Sequence, residues 1–318
     1  MSNLLDKSSI LLTPTAYNNG KILSVKPNTS VGDFDFTRNS SATRVNSQGL
    51  IEDITANLPR IDYTGGAGHW LFEPQSTNLI TQSELFSDAS WLRFGSITTT
   101  DNYTTSPSGQ NNATRLQWTN ATNFIYQSLS HVGSDFTLSI YLKSNTNVSQ
   151  NVRLFMDNSA QKIEVVVTTQ WQRFEFTNTT TPTQSNRSVG LIKSGSQTGD
   201  LDISIYGAQF EQQSYATSYI PTSGSTVTRL QDAAIGAGSS DLINSTEGTL
   251  YVEVAALAEQ TLTRYITLSD GTSSNRIIIY ITDVGVIKFF VGVGGATQAA
   301  KTVSGQTTTN FNKLAVSY

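Results

Sequence analysis

Within Phe136 to Leu142 the apolar residues of this chain strictly alternate. Phe136, Leu138, Ile140 and Leu142 fall on one side of a pleated strand, with Thr137, Ser139 and Tyr141 on the other. A period of two cannot lay an apolar stripe along a helix, so this stretch is confined to half-buried β structure. Comparable runs occur at 114–118, 124–127, 152–156, 162–168, 171–176, 188–192 and 201–210, and together these eight segments predict a two-sheet jelly roll. Charged residues make up 14% of the sequence, against roughly 25% in ordinary soluble domains. Ser, Thr, Asn, Gln and Gly take the places that Lys and Glu would hold, so strong helix formers are scarce. The predicted fold class is all-β.

The 318 residues are enough for about two or three domains. A formal net charge of −4, with no basic run, gives no electrostatic footprint for nucleic acid. There is no cysteine, so disulfides, zinc thiolates and thiol catalysis are excluded. No segment approaches the roughly 20 apolar residues that span a bilayer, so no membrane insertion is expected. Near the N-terminus Asp6 and Lys7 stand where a secretory signal needs an apolar run. The expectation is a protein that does not use the general secretory pathway.

Ile10–Leu12 and Lys21–Val25 are short apolar runs flanking Asn18-Asn19-Gly20, a pattern that predicts a hairpin. An isolated hairpin is marginal, so it is expected to dock on a neighbouring subunit or another protein. Residues 34–78 are turn-dense, with Phe36, Val45, Ile51, Ile61, Trp70 and Phe72 as apolar anchors. Residues 233–241 read as a small-residue linker, and strands are predicted again at 248–254, 264–268, 277–282, 286–291 and 312–318. This gives three segments: an N-terminal module over 1–75, a jelly roll over 76–230, and a further β-sandwich over 231–318.

Phe34 to Asn78, through Phe36, Arg38, Ser41, Ala42, Thr43, Gly49, Pro59, Arg60, Tyr63, Glu73 and Asn78, resembles the N-terminal modules of bacteriophage fibre and spike proteins. The segment Tyr206 to Asp232 completes that resemblance. Asn78–Trp91 and Gly199–Thr222 are similar to the first and last strands of carbohydrate-binding-module-like jelly rolls. The strands from Gly248 to Tyr318 resemble the first half of a concanavalin-A-like lectin domain. A half sandwich leaves an open sheet edge, which implies a longer natural protein or completion by another chain. The resemblance implies a virion protein assembled in the bacterial host, anchored at its N-terminus to other virion proteins. It further implies a homotrimer that displays its β-sandwiches to host-surface glycans. Its alternatives are a purely architectural spacer and a capsule-degrading tailspike.

Few residues point to chemistry. A Ser-His-Asp set would have to use His69 or His131, and neither lies in a nucleophile-elbow sequence. Carboxylates are present, but their spacing selects no hydrolytic pair, and no parallel β-helix period is seen. The chain is therefore read as non-enzymatic. No cofactor is expected, except that the jelly-roll resemblance allows a calcium ion at Asp202 with backbone carbonyls from Asn78 to Glu84. A sugar ring asks for an aromatic face and nearby amides, and Tyr126, Tyr141 and Trp118 are the candidates for it.

Overall fold

The protein is described from a computed structural model, which covers residues 4–120, 122–130, 135–156, 161–178, 186–258 and 263–318. Strand accounts for 49% of the chain and helix for 2%, the helix among the described residues being one α turn, α1 (Leu4–Lys7), and a 3-10 turn at Ser30–Gly32. The all-β expectation holds. The chain divides into two compact units, one running from Leu11 to Ala237 and the other combining the N-terminal residues up to Ile10 with Gly238–Tyr318.

In the larger unit, β1 (Tyr17–Asn18) and β2 (Lys21–Ile22) form the predicted hairpin. Asn19 and Gly20 take the positive φ values, 34° and 76°, that its two-residue turn requires. Its docking partner is within the chain. Ile22 pairs with Phe34 of β3 (Phe34–Thr37) and is fully buried, so the hairpin has its third strand without a second molecule. Two more short hairpins follow, β4 (Ala42–Val45) with β5 (Ile51–Ile54) and β6 (Ile61–Asp62) with β7 (His69–Trp70), and then β8 (Ser76–Asn78).

Ten strands then build the sandwich: β9 (Leu92–Phe94), β10 (Thr98–Thr104), β11 (Ala113–Trp118), β12 (Phe124–Ser130), β13 (Phe136–Ser144), β14 (Gln150–Met156), β15 (Gln161–Val167), β16 (Gln172–Asn178), β17 (Asn186–Lys193) and β18 (Leu201–Glu211). They form two sheets, ordered β10-β11-β18-β13-β16 and β15-β14-β17-β12-β9. Counting β11 to β18 as one to eight, the sheets read 1-8-3-6 and 5-4-7-2, which is the interleaving of a jelly roll. The eight predicted strands are these eight. Alternate residues of both sheets meet in one core that includes Leu116, Ile125, Leu138, Ile140, Leu154 and Ile203.

After β18 the chain returns to the N-terminal residues. β19 (Val227–Arg229) pairs with β8, and β20 (Ala233–Ile235) pairs with β3, Ala234 opposite Phe36. The first part of the expected linker is therefore a strand, held by backbone bonds that its small side chains leave unobstructed. Most of 1–75 and all of 76–230 in the sequence reading lie inside this one compact unit.

The smaller unit holds a strand pair, β21 (Thr249–Val254) with β26 (Asn312–Ser317), and a four-stranded sheet, β22 (Arg264–Ser269), β23 (Arg276–Asp283), β24 (Val286–Val293) and β25 (Ala296–Val303). Both contribute to a core around Ile279, Ile281, Ile287 and Leu314. Sequence reading finds five of these strands and misses β25. That strand runs Ala-Thr-Gln-Ala-Ala-Lys-Thr-Val, is exposed over nearly its whole length, and so carries no apolar alternation to detect.

Candidate functional site

The N-terminal motif builds a buried ionic network. Arg38, Arg60 and Arg229 are each 1% exposed and Glu73 is 3% exposed. Arg38 Nη1 donates to Asp232 Oδ1 at 3.1 Å, and Arg60 reaches both Asp232 and Glu73, the latter at 2.8 Å. Arg229 Nη1 lies 3.4 Å from Glu73 and 3.9 Å from Asp232. Ser218 donates to Glu73 from its backbone N–H and its hydroxyl, at 2.7 and 2.6 Å. Burial alone would raise the Glu73 pKa, but the charges of Arg229 and Arg60, with the Ser218 bonds, bring it down to about 2. Next to this network Asn78 makes four hydrogen bonds, donating to Ala208 and Ile220 carbonyls and accepting from Ile80 and Phe210 N–H. The motif residues thus join the segments on either side of the jelly roll. Arg38, Arg60, Glu73 and Asn78 are all sealed from solvent.

An open face lies on the β15-β14-β17-β12-β9 sheet. Along β12, Ile125 and Leu129 point into the core, so Phe124 and Tyr126 have the opposite parity and point away from it. Cross-strand register then assembles two rows. The first runs Phe94, Phe124, Ile192, Arg153, Glu164, and the second runs Leu92, Tyr126, Gly190, Phe155, Lys162. Phe94 and Phe124 stack at 5.0 Å with 16° between their planes, and Tyr126 follows 5.4 Å from Phe124. Phe94 is 56% exposed and Leu92 43%. Phe155 is buried, its ring edge-on to Phe124 at 5.8 Å. Gly190 stands between Tyr126 and Phe155, where an added Cβ would come 2.0 Å from the Ile125 carbonyl oxygen. No side chain can stand at that point of the row.

The aromatic end of this face gives way to a polar one. Arg153 Nε donates to Glu164 at 3.1 Å, with Ser194 and Ser196 also donating to the same carboxylate. The Ser194 and Ser196 hydrogen bonds, ahead of Arg153, lower the Glu164 pKa and keep it an ionised acceptor. Apolar rings beside charged and hydroxyl groups on one face of one sheet suit a ligand with one apolar and one polar edge.

Of the three aromatic candidates from sequence, this face contains Tyr126. Tyr141 lies on the other sheet, half-buried beside Tyr206 and capped by Arg173 at 5.5 Å, and burial raises its pKa. Trp118 is 2% exposed in the sandwich core, because its parity on β11 is that of Leu116, and its ring has no face to offer a ligand. Asp202, the calcium candidate, accepts from Arg115 on both oxygens, from Asn145 at 2.9 Å and from Gln117 at 3.1 Å. N–H donors surround it where a calcium ion would need oxygens, and among the described residues no group of three or more acidic or histidine side chains is placed to hold a metal. His69 sits 3.7 Å from Asp62, and His131 lies outside the described residues. Phe94, Phe124 and Arg153 escape sequence reasoning, and Glu164 stands out there only as one carboxylate among many. Parity signals Phe124, since it flanks the inward Ile125 as Tyr126 does, but β9 is too short to show a pattern.

No protein-family model matches this sequence, and no curated protein matches it. Solved structures similar to it include the CBM22-1 xylan-binding domain from Paenibacillus barcinonensis Xyn10C, 12% identical over 43% of this chain and 93% of that one, TM-score 0.33. The family 11 carbohydrate-binding module of the cellulosomal cellulase Lic26A-Cel5E of Clostridium thermocellum is 10% identical over 42% of this chain and 94% of that one, TM-score 0.28. The enzymatically active domain of tailspike protein 4 of bacteriophage CBA120 is 16% identical over 42% of this chain, TM-score 0.31, and the match spans 21% of that chain. The jelly-roll assignment rests on the strand order given above.

Proposed function

We propose that this chain is a non-enzymatic glycan-binding protein and that the Phe94, Phe124 and Tyr126 face of the jelly roll is its binding surface. The observation that carries the reading is the pair of cross-strand rows, which put the exposed Phe94 ring, the half-buried Phe124 and Tyr126 rings and an ionised Arg153–Glu164 pair on one face of one sheet. Rings of this kind take the apolar face of a pyranose, and the charged end takes its hydroxyls. The setting we propose is host adhesion by a tailed-phage fibre or spike, in which weak sites gain strength through repetition on a homotrimer and on the particle. The motif residues from Phe36 to Asn78 support that setting by their resemblance to phage modules.

Glycan-array screening of the full chain, followed by calorimetry on Phe94→Ala/Phe124→Ala, tests the reading. Expected is binding to at least one glycan class that the double variant weakens tenfold or more. Undiminished binding by the variant removes the face, and an array with no hits favours the architectural alternative. Sedimentation of the intact protein as a monomer would remove the trimer.

A further inference from the structure

The sequence has a single Asn-Gly pair, Asn19-Gly20, and it forms the whole of the turn between β1 and β2. Asn19 is exposed. Among the described residues neither its carboxamide nor the Gly20 N–H has a hydrogen-bond partner, whereas the Gly20 carbonyl accepts from the Phe36 N–H at 2.7 Å. The ladder that the turn closes is two residue pairs long, Tyr17 with Ile22 and Asn18 with Lys21. So short a ladder opens locally at small cost, without unfolding the rest of the unit.

An asparagine can be attacked by the backbone nitrogen of the residue that follows it, and asparagine is thermolabile for that reason. Glycine has no side chain to shield its nitrogen. At Asn19-Gly20 the two atoms that must meet, Gly20 N and Asn19 Cγ, are also free of bonds that would first have to break. Comparable positions are blocked. Asn57 and Asn102 share the positive φ, at 60° and 52°, but Leu58 and Tyr103 follow them, and Asn57 Oδ1 accepts from the Arg38 N–H at 2.9 Å. Asp270-Gly271 has the glycine, but the Gly271 N–H donates to Ser269 Oγ at 3.3 Å. The Asp270 carboxylate accepts from Thr272 and Asn275, and these bonds lower its pKa and keep it ionised, which makes it a poor electrophile.

We infer that Asn19 is a site of spontaneous covalent modification, and that its conversion to isoaspartate unpins β1 from β2. Deprotonated Gly20 N forms a bond to Asn19 Cγ, the Cγ–Nδ2 bond breaks, and the amide leaves as ammonia with the proton that Gly20 N gave up. Water then opens the cyclic imide. Attack at Cγ leaves aspartate on an unchanged backbone, and attack at the main-chain carbonyl leaves isoaspartate, with the chain running through the former side chain. The second product puts an additional methylene into a turn built for two residues. Asn18 can then no longer face Lys21 while Ile22, fully buried, stays opposite Phe34. The element that gives way is β1, whose two residues are half-buried and exposed. This site is separate from the aromatic face and does not depend on the glycan reading.

Incubation of the intact protein at neutral and at alkaline pH, read by peptide mass spectrometry and enzymatic isoaspartate methylation, tests the inference together with amide hydrogen exchange on the aged sample. Expected is conversion at Asn19 at least tenfold faster than at Asn57 or Asn102, and faster in alkali because Gly20 N must lose its proton. The Leu23 N–H, which donates to the Ala16 carbonyl at 3.1 Å across the hairpin, should exchange at least tenfold faster in the isoaspartate fraction. Asn19→Gln should suppress the conversion. Asn19→Asp, which carries the new charge without the methylene, should leave Leu23 exchange within about twofold of wild type. A folded chain that keeps Asn19 intact while its urea-unfolded form converts, or conversion at Asn57 or Asn102 as fast as at Asn19, would overturn it. So would unchanged Leu23 exchange in the isoaspartate fraction, or exchange in Asn19→Asp as fast as in that fraction.

Discussion

The larger unit is held in two places by opposite means. Between the sheets of the sandwich, residues such as Leu116, Ile140 and Leu154 pack through aliphatic side chains, and any apolar residue of similar volume could in principle replace another. At the base, Arg38, Arg60, Arg229, Glu73 and Asp232 are equally buried, but each needs a particular partner in a particular place. The network gathers three arginines around two carboxylates, with Ser218 and the Thr43 carbonyl taking further bonds, while Arg60 Nε and Arg229 Nε are left without a hydrogen-bond partner. The core stabilises whatever brings it together. The network stabilises one arrangement, because losing one partner strands a desolvated charge.

The sharpest way to break this contrast is Asp232→Ala, which leaves Arg38 and Arg60 without their shared carboxylate. Denaturant unfolding should show a loss of about 3–5 kcal/mol, and a loss below about 1 would put the network on a level with a surface pair. Leu154→Ala, fully buried in the core, should cost about 2–5 kcal/mol. The conservative Leu154→Met should cost less than about 1.5, a tolerance that Arg60→Lys should not share.

Acid distinguishes the two places further. The Glu73 carboxyl falls from 4.5 to about 2 on folding, so its contribution is complete above its unfolded pKa and is lost as pH falls from about 4.5 towards about 2. That loss amounts to no more than about 3 kcal/mol, and thermal melts of wild type and Leu154→Ala should show it alike. Arg115→Ala, at a partly buried pair with Asp202, should cost about 1 kcal/mol. Smallest is Phe94→Ala. With 56% of the residue exposed it should shift stability by about 0.5 kcal/mol or less while abolishing the stacked pair, so a large melting change would mean that the face belongs to the core rather than to a ligand.

Legibility in the sequence follows the same division. Alternation in Phe136–Leu142 exposes the strand directly, and eight of the ten sandwich strands could be placed because they carry their own local period. Parity also separates Tyr126 from the inward residues of β12. It cannot say that Phe94, on a three-residue edge strand, will stack on Phe124, or that Gly190 will lie between Tyr126 and Phe155, since those neighbours come from pairings far apart in sequence. Trp118 was misplaced because an aromatic ring suits a sugar and a core equally well, and only its packing decides between them.

The sequence by itself determined that this protein is made of strands, and roughly where each one lies, because side-chain alternation is a local property of a pleated backbone. Tertiary structure decided which buried charges meet and which rings reach solvent. Those outcomes depend on the register between strands up to about two hundred residues apart, as Arg38 and Asp232 are, and no local pattern encodes a partner at that distance.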